Sequence, residues 1–323
     1  MLARRQAAIA AVQGVVAVYW DLALAERQLA IRRSGLALIA ERRRLTEAGI
    51  KGGKVAPSEL LAVDQAVATQ QEQILSAEVG VVNQSIAVRR AAGMPIEAGA
   101  ILLASGADAS AQARSATLDD ALKRAFDTSP ELALLAVQDK DAVISVEVAE
   151  NGLMPQLDAA LSLGPSGRSN KPSEALKNTV KFDEFAIGGS LTFRYELGHR
   201  AASGASRAAR LQREQIQVNA TDIRAQIAQS VAQAVATLEL AARRVTLAQT
   251  AIDLARKNIE VEQARFSLGK STNFDVLQRQ NELQQSELSK AQAEIDARKA
   301  EASLSALTGD LLDEYGISLD AKK

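Results

Sequence analysis

The chain has 323 residues with 38 basic and 39 acidic side chains, a formal net charge of −1, so it lacks the basic footprint of a nucleic-acid binder. Aromatic residues are only 3% of the chain and alanine is abundant, which suits long, thin helices better than thick globular cores. No cysteine is present, which excludes a disulfide framework, a thiol nucleophile and thiolate metal sites.

At the N-terminus Arg4 and Arg5 precede an apolar stretch, as in a secretory signal. Gln13 interrupts that stretch, no small-residue cleavage site is convincing, and the segment runs on into a repeated helix, so it reads as mature structure. No uninterrupted apolar run approaches the roughly 20 residues of a spanning helix, which leaves any membrane crossing to strands.

An internal repeat at a fixed offset of 216 residues organises the chain. Gly53-Lys54 aligns with Gly269-Lys270, Leu60-Leu61 with Val276-Leu277 and Gly93 with Gly309. Upstream, Leu22, Leu29 and Leu36 fall on Leu238, Val245 and Ile252, while Leu24, Ile31, Leu38 and Leu45 fall on Leu240, Leu247, Leu254 and Val261. Counterparts of 94–216 would lie before Met1, so the repeat predicts a fragment of a two-copy protein with about 123 positions missing from the first copy.

Each copy reads as an antiparallel helical hairpin with a tight, glycine-containing tip. In the first, Leu60, Val67, Ile74, Val81 and Val88 form a heptad line after the tip. A helix then starts near Thr117 with a capping-box pattern closed by Asp120, breaks and restarts at Ser129-Pro130-Glu131, and ends near Asn151-Gly152. The Gly-, Ala- and Ser-rich segment 95–116 is the connector between the repeats.

From Gln156 the period changes to two. Leu157, Ala159, Leu161 and Leu163 share one face, and after a polar loop so do Phe185, Ile187, Gly189, Leu191, Phe193, Tyr195 and Leu197. About ten residues per strand is the length and pattern of transmembrane barrel strands, with aromatics between Phe182 and Tyr195 suiting an interfacial girdle. A soluble hairpin covering a helix shows the same alternation. Two strands cannot close a barrel alone, so a membrane hairpin needs other chains.

Residues 201–267 contain no proline and a single glycine, Gly204, which predicts a helix about 100 Å long. Its apolar residues lie on two heptad lines: Leu238, Val245, Ile252, Ile259 and Phe266, and Leu240, Leu247, Leu254, Val261 and Leu268. The lines are about 200° apart round the helix, so each such helix needs neighbours on two sides. After a loop at 268–272, Ala291, Ala293, Ala297, Ala300, Ala302 and Ala306 let the return helix approach its neighbours closely. An ordinary coiled-coil rod would share this periodicity.

Several segments carry a family resemblance in their order and spacing. They are Tyr19-Trp20-Asp21-Leu22, the tips at Gly53 and Gly269, Phe274-Asp275-Val276-Leu277, Thr117-Leu118 through Ser129-Pro130-Glu131-Leu132, Leu153-Met154-Pro155 and Gly189-Ser190-Leu191. Over 1–310 the chain resembles the TolC-like outer-membrane factors, the exit ducts of efflux pumps and type I secretion systems in Gram-negative bacteria. The resemblance implies a mainly α fold of long coiled-coil hairpins with a transmembrane β-hairpin, a homotrimer sharing a twelve-stranded barrel, and partnership with a periplasmic adaptor and an inner-membrane pump. It divides the chain into a first hairpin at 1–93, a connector at 94–116, a helix at 117–152, a membrane β-hairpin at 153–198, a second hairpin at 199–309 and a tail at 310–323. One β-hairpin instead of two, and no leader, depart from it, and the missing positions, about 123, are where the other helix and hairpin belong.

The resemblance also supplies candidate residues. Gly52, Gly53, Lys54 and Val55 at one tip and Leu268, Gly269, Lys270 and Ser271 at the other match positions that meet an adaptor, although the glycines serve tight helix ends in any case. Asp275 matches an acidic ring at the periplasmic entrance or is a simple helix-start carboxylate, and Gln278 stands where the family has a second acid. Arg194 and Glu196 line the lumen or a solvated strand edge, and His199 is a polar junction residue with no second ligand. No catalytic constellation, metal cluster or phosphate-cradling loop stands out, so neither an enzyme nor a cofactor is expected. A passive export duct is the leading function. An adaptor protein, which would need lipoyl-like and β-barrel domains, and a soluble scaffold, which leaves 156–197 unexplained, are the alternatives.

Overall fold

The computed structural model describes residues 2–96, 101–104, 117–166 and 184–318. The expected connector is therefore described only at its margins, and Phe182 and the end of the tail lie outside the described residues. The elements are α1 (Leu2–Lys51), α2 (Glu59–Ala91), α3 (Leu118–Thr128), α4 (Pro130–Asn151), β1 (Gln156–Ser166), β2 (Glu184–Arg194), α5 (Arg200–Ser267), α6 (Asn273–Thr308) and α7 (Leu311–Glu314). Two compact units emerge, one of residues 1–132 and 223–323, the other of 133–222.

In the first unit the neighbours run α2, α1, α6, α5. Leu22 of α1 is buried against Val81 and Val88 of α2, as the heptad lines require. On α1's other side Ala23 and Leu24 meet Ala291 and Ile295 of α6, and Val16 meets Ala302 and Leu311. The opposite flank of α6 puts Ala300 and Leu304 on Val231, Val235 and Leu238 of α5, with Ala121 and Ala125 of α3 completing the cluster. The alanines of α6 thus serve two neighbours, one from each repeat. Residues of α1 from Arg4 to Lys51 include a stretch long and apolar enough to cross a membrane by length and composition. Its Val16, Leu22, Ala23 and Leu24 are buried in these helix contacts.

The two heptad lines of α5 meet different fates. Leu238, Ile252 and Ile259 are buried, whereas Leu240, Leu247, Leu254, Val261 and Leu268 are exposed. At the far edge α2 likewise leaves Leu61, Leu75, Val79, Val82 and Ile86 bare. Both outer helices therefore carry an apolar face with no partner within the described residues.

A polar layer interrupts the α1 contacts at Gly35. Gln70 of α2 donates through its Nε2 to the Arg32 carbonyl at 2.7 Å, and a Cβ on Gly35 would stand 2.3 Å from Nε2 of Gln284 on α6. A Cβ there would require the Gln284 amide to swing aside.

The second unit holds the β-hairpin with the ends of α4 and α5, which Arg210–Glu150 (2.6 Å) and Arg213–Asp139 (3.2 Å) ion pairs link. The strands are antiparallel, with Leu157 opposite Phe193, Ala159 opposite Leu191, Leu161 opposite Gly189 and Leu163 opposite Ile187. Leu157, Leu161, Leu163, Ile187, Leu191 and Phe193 on that face are exposed, with Leu161 81% accessible, so among the described residues no helix covers them. The ladder stops at Arg194 and leaves Glu196 outside the strand, although the alternation had predicted strand to Leu197.

Candidate functional site

Both tips are built alike because the repeat places the same residues there. Gly53 and Gly269 each have φ of +70°. Lys54 N–H donates to the Gly49 carbonyl and Lys270 N–H to that of Arg265, both at 2.9 Å, while Gly53 and Gly269 donate to Ile50 and Phe266. This paired bonding closes a helix end with a left-handed glycine. Gly52, Gly53, Lys54, Leu268, Gly269 and Lys270 are exposed, and Val55 and Ser271 are half-buried. Val55 packs back on α1, where a Cβ on Gly49 would stand 2.7 Å from its Cγ2.

Asp275 lies in the first turn of α6 inside a full capping box. Its Oδ2 accepts from Thr272 N at 3.0 Å, Thr272 Oγ1 at 2.7 Å and Ser271 Oγ at 3.3 Å, and its own N–H donates to Thr272 Oγ1. The backbone bond from Thr272, followed by that residue's hydroxyl, holds the carboxyl below its ordinary pKa. The pattern Thr272-x-x-Asp275 carries this cap in the sequence.

Sequence reasoning missed the residue that answers Asp275 in the other repeat. Glu59 accepts at Oε2 from Asn273 N at 2.9 Å, so the first hairpin caps the helix of the second. Thr46 Oγ1 donates to Oδ1 of the fully buried Asn273 at 3.3 Å, and Ser58 makes no side-chain cap for α2 itself. Alignment of Glu59 with Asp275 at the 216-residue offset was the available signal. Nearby, Arg42 is buried with its guanidinium 5.2 Å from the Phe266 ring centre.

On the hairpin, the face opposite the apolar one carries Gln156, Asp158, Ser162, Ser190, Thr192 and Arg194. Arg194 stands opposite Gln156, whose Nε2 donates to Asp158 Oδ1 at 3.2 Å. His199 follows Gly198 at the start of α5 with φ of +40° and meets Tyr195 edge-on at 5.0 Å. Tips and hairpin belong to different units, and no group of acids or histidines among the described residues is arranged to hold a metal.

Long hairpins with bare apolar lines and a strand pair with a bare apolar face are the features of an outer-membrane channel protein. The family model described as outer membrane efflux protein matches residues 121–310. This chain belongs to that family, which decides for the duct over the adaptor and scaffold alternatives and puts it in the Gram-negative outer membrane with a periplasmic extension.

Comparison with curated protein sequences gives no match. Among solved structures, the outer membrane protein VceC of Vibrio cholerae is similar over 96% of this chain and 72% of its own, at 16% identity and a TM-score of 0.70. CusC is similar over 95% and 70%, at 15% identity and a TM-score of 0.76. The MtrE outer membrane channel of Neisseria gonorrhoeae is similar over 96% and 68%, at 16% identity and a TM-score of 0.71. At these identities the likeness is one of fold.

Proposed function

We propose that the chain is one protomer of a homotrimeric, passive export duct that opens when a periplasmic adaptor and its inner-membrane pump engage the tips. The carrying observation is the pair of unlike apolar edges, Leu240 to Leu268 on α5 and Leu61 to Ile86 on α2. Two different edges favour head-to-tail association, which closes into a ring when the rotation allows. The same closure removes the free edges of the β-hairpin in lipid. The bare face of Leu157, Leu161, Leu163, Ile187, Leu191 and Phe193 then meets lipid, and Asp158 and Arg194 line the lumen. Glu196 lies at the periplasmic mouth of that lumen, just past the end of β2.

Gly52, Gly53, Lys54, Val55, Leu268, Gly269, Lys270 and Ser271 form the adaptor-facing tips, and Asp275 forms the entrance ring with whatever of its carboxylate the cap leaves available. The mass of the detergent-solubilised full chain and its conductance in planar bilayers test the duct. A trimer that conducts is expected, and a non-conducting monomer overturns it. Replacing Gly269 by tryptophan should abolish adaptor cross-linking with the trimer intact, and Asp275→Asn should weaken cation block of the open channel.

A further inference from the structure

The repeat gives the two helical hairpins corresponding seats, and in the second copy the seat holds a helix. Ala121 and Ala125 of α3 sit there on Val231, Val235 and Leu304, with Ile227 and Leu307 at the margin. The end of α3 is fixed by Thr128, whose Oγ1 donates to the Thr308 carbonyl at 3.0 Å. At the 216-residue offset Ile227, Val231, Val235, Leu304, Leu307 and Thr308 become Ala11, Val15, Tyr19, Val88, Ala91 and Ala92. All six of these first-copy residues line one apolar groove of about 860 Å³, formed by α1, the end of α2 and the chain after α7.

Burial separates the two seats. Val231, Val235 and Thr308 are buried, whereas Val15 and Tyr19 are half-buried and Ala11, Ala91 and Ala92 are exposed. The glycines that end the two helices differ in the same way. Gly309 and Gly93 share left-handed φ values of +79° and +67°. A Cβ on Gly309 would stand 2.8 Å from the Thr128 side chain, while one on Gly93 would have no described atom within 4 Å. The first seat is therefore formed, apolar and, among the described residues, uncovered.

Its shape specifies what fits. Ile227, Leu304, Leu307 and Thr308 give way to the smaller Ala11, Val88, Ala91 and Ala92, and Val235 alone gives way to a larger residue, Tyr19, which meets Trp20 edge-on at 5.6 Å. A helix with only alanines on its inner face would leave unfilled space against the small residues, and unfilled volume costs free energy.

We propose that this groove docks an amphipathic helix that stands to the first repeat as α3 stands to the second, with leucine-sized residues where α3 has Ala121 and Ala125. Residues four apart share a helix face, so such a pair lies along the stripe of Ala11, Val15 and Tyr19, itself spaced by four, and against Val88, Ala91 and Ala92. A compact apolar molecule is the other occupant that a groove of this size admits. The residue-by-residue correspondence with a seat that already holds a helix favours the helix.

Trp20, the chain's single tryptophan, lines the groove, so its emission reports occupancy. The full chain, reconstituted in lipid nanodiscs, is titrated with three tryptophan-free probes. They are a lactam-bridged helical peptide of sequence 117–129 with leucine in place of Ala121 and Ala125, the same composition scrambled to put the leucines on opposite faces, and the compact alcohol adamantanol. The first peptide should shift Trp20 emission saturably to the blue and bind at least about tenfold tighter than the scrambled one, since each methylene it buries adds to the difference. Ala91→Arg on the groove wall should abolish the shift with the helical circular dichroism unchanged, and Gln71→Arg, exposed elsewhere on α2, should leave the shift intact. No saturable shift, equal binding of the two peptides, binding that survives Ala91→Arg, or adamantanol binding tighter than the helical peptide each overturns the proposal. So does Trp20 emission that moves to the blue with protein concentration alone, which would put a second copy of the chain in the groove.

Discussion

Asp275 shows how one side chain serves local structure before any wider role. Its carboxyl is held below the ordinary range by the Thr272 backbone and hydroxyl bonds. A depressed folded-state pKa means that the stabilisation is complete above the unfolded value and is lost as pH falls through the folded one. Thermal melts should therefore show a loss of α6 stability on acidification that Asp275→Asn removes and that Thr272→Ala, which keeps the backbone donor, only reduces; an unchanged acid limb in Asp275→Asn counts against the cap. Glu59 acts across the repeats. Glu59→Ala leaves Asn273 N–H without its carboxylate and should cost about 1 kcal/mol in chemical denaturation, the usual size of a lost cap. Glu59→Gln, which keeps an acceptor oxygen, should recover much of it. The cap at Asp275 was legible in four consecutive residues, whereas the reach of Glu59 depends on which helices lie side by side.

Among the elements, α1 and the β-hairpin make opposite demands on surface. A Gly→Ala change inside a helix ordinarily gains up to about 1 kcal/mol. At Gly35 that gain should be smaller than at an open site, because the new methyl makes the Gln284 amide, 2.3 Å away, and the Gln70 amide, 3.1 Å away, move aside. Gly14, with nothing within 4 Å of its would-be Cβ, is the control expected to show the ordinary gain. On the hairpin, Leu161→Arg should destabilise the lipid-embedded form by about 2–4 kcal/mol, and Ser190→Arg on the other face should be tolerated. Refolding titrations in lipid vesicles would expose an error here if both arginines cost the same. The two faces were legible because alternation is local. The end of β2 at Arg194 was not, since the alternation runs on past it to Leu197.

For the molecule as a whole, the uncovered line on α5 is the decisive surface. Leu247→Glu with Leu254→Glu places charges on an apolar line that is 70% and 56% accessible at those positions, so the isolated protomer should keep its helicity. A trimer that buries this line should dissociate, which native mass spectrometry and circular dichroism together would register. A trimer that survives the pair of glutamates contradicts the proposed edge contact.

By itself the sequence determined the duplicated hairpins, the tip geometry, the two heptad lines and the two-faced strands, because each follows from a short period or from a repeat that needs no knowledge of distant neighbours. Tertiary structure alone decided which of two equally apolar lines on α5 is covered, that α6 packs between α5 and α1, and that a carboxylate of the first hairpin caps a helix of the second. Those outcomes turn on burial and on pairing between residues far apart in the chain, and periodicity fixes the face of a helix without naming what will lie against it.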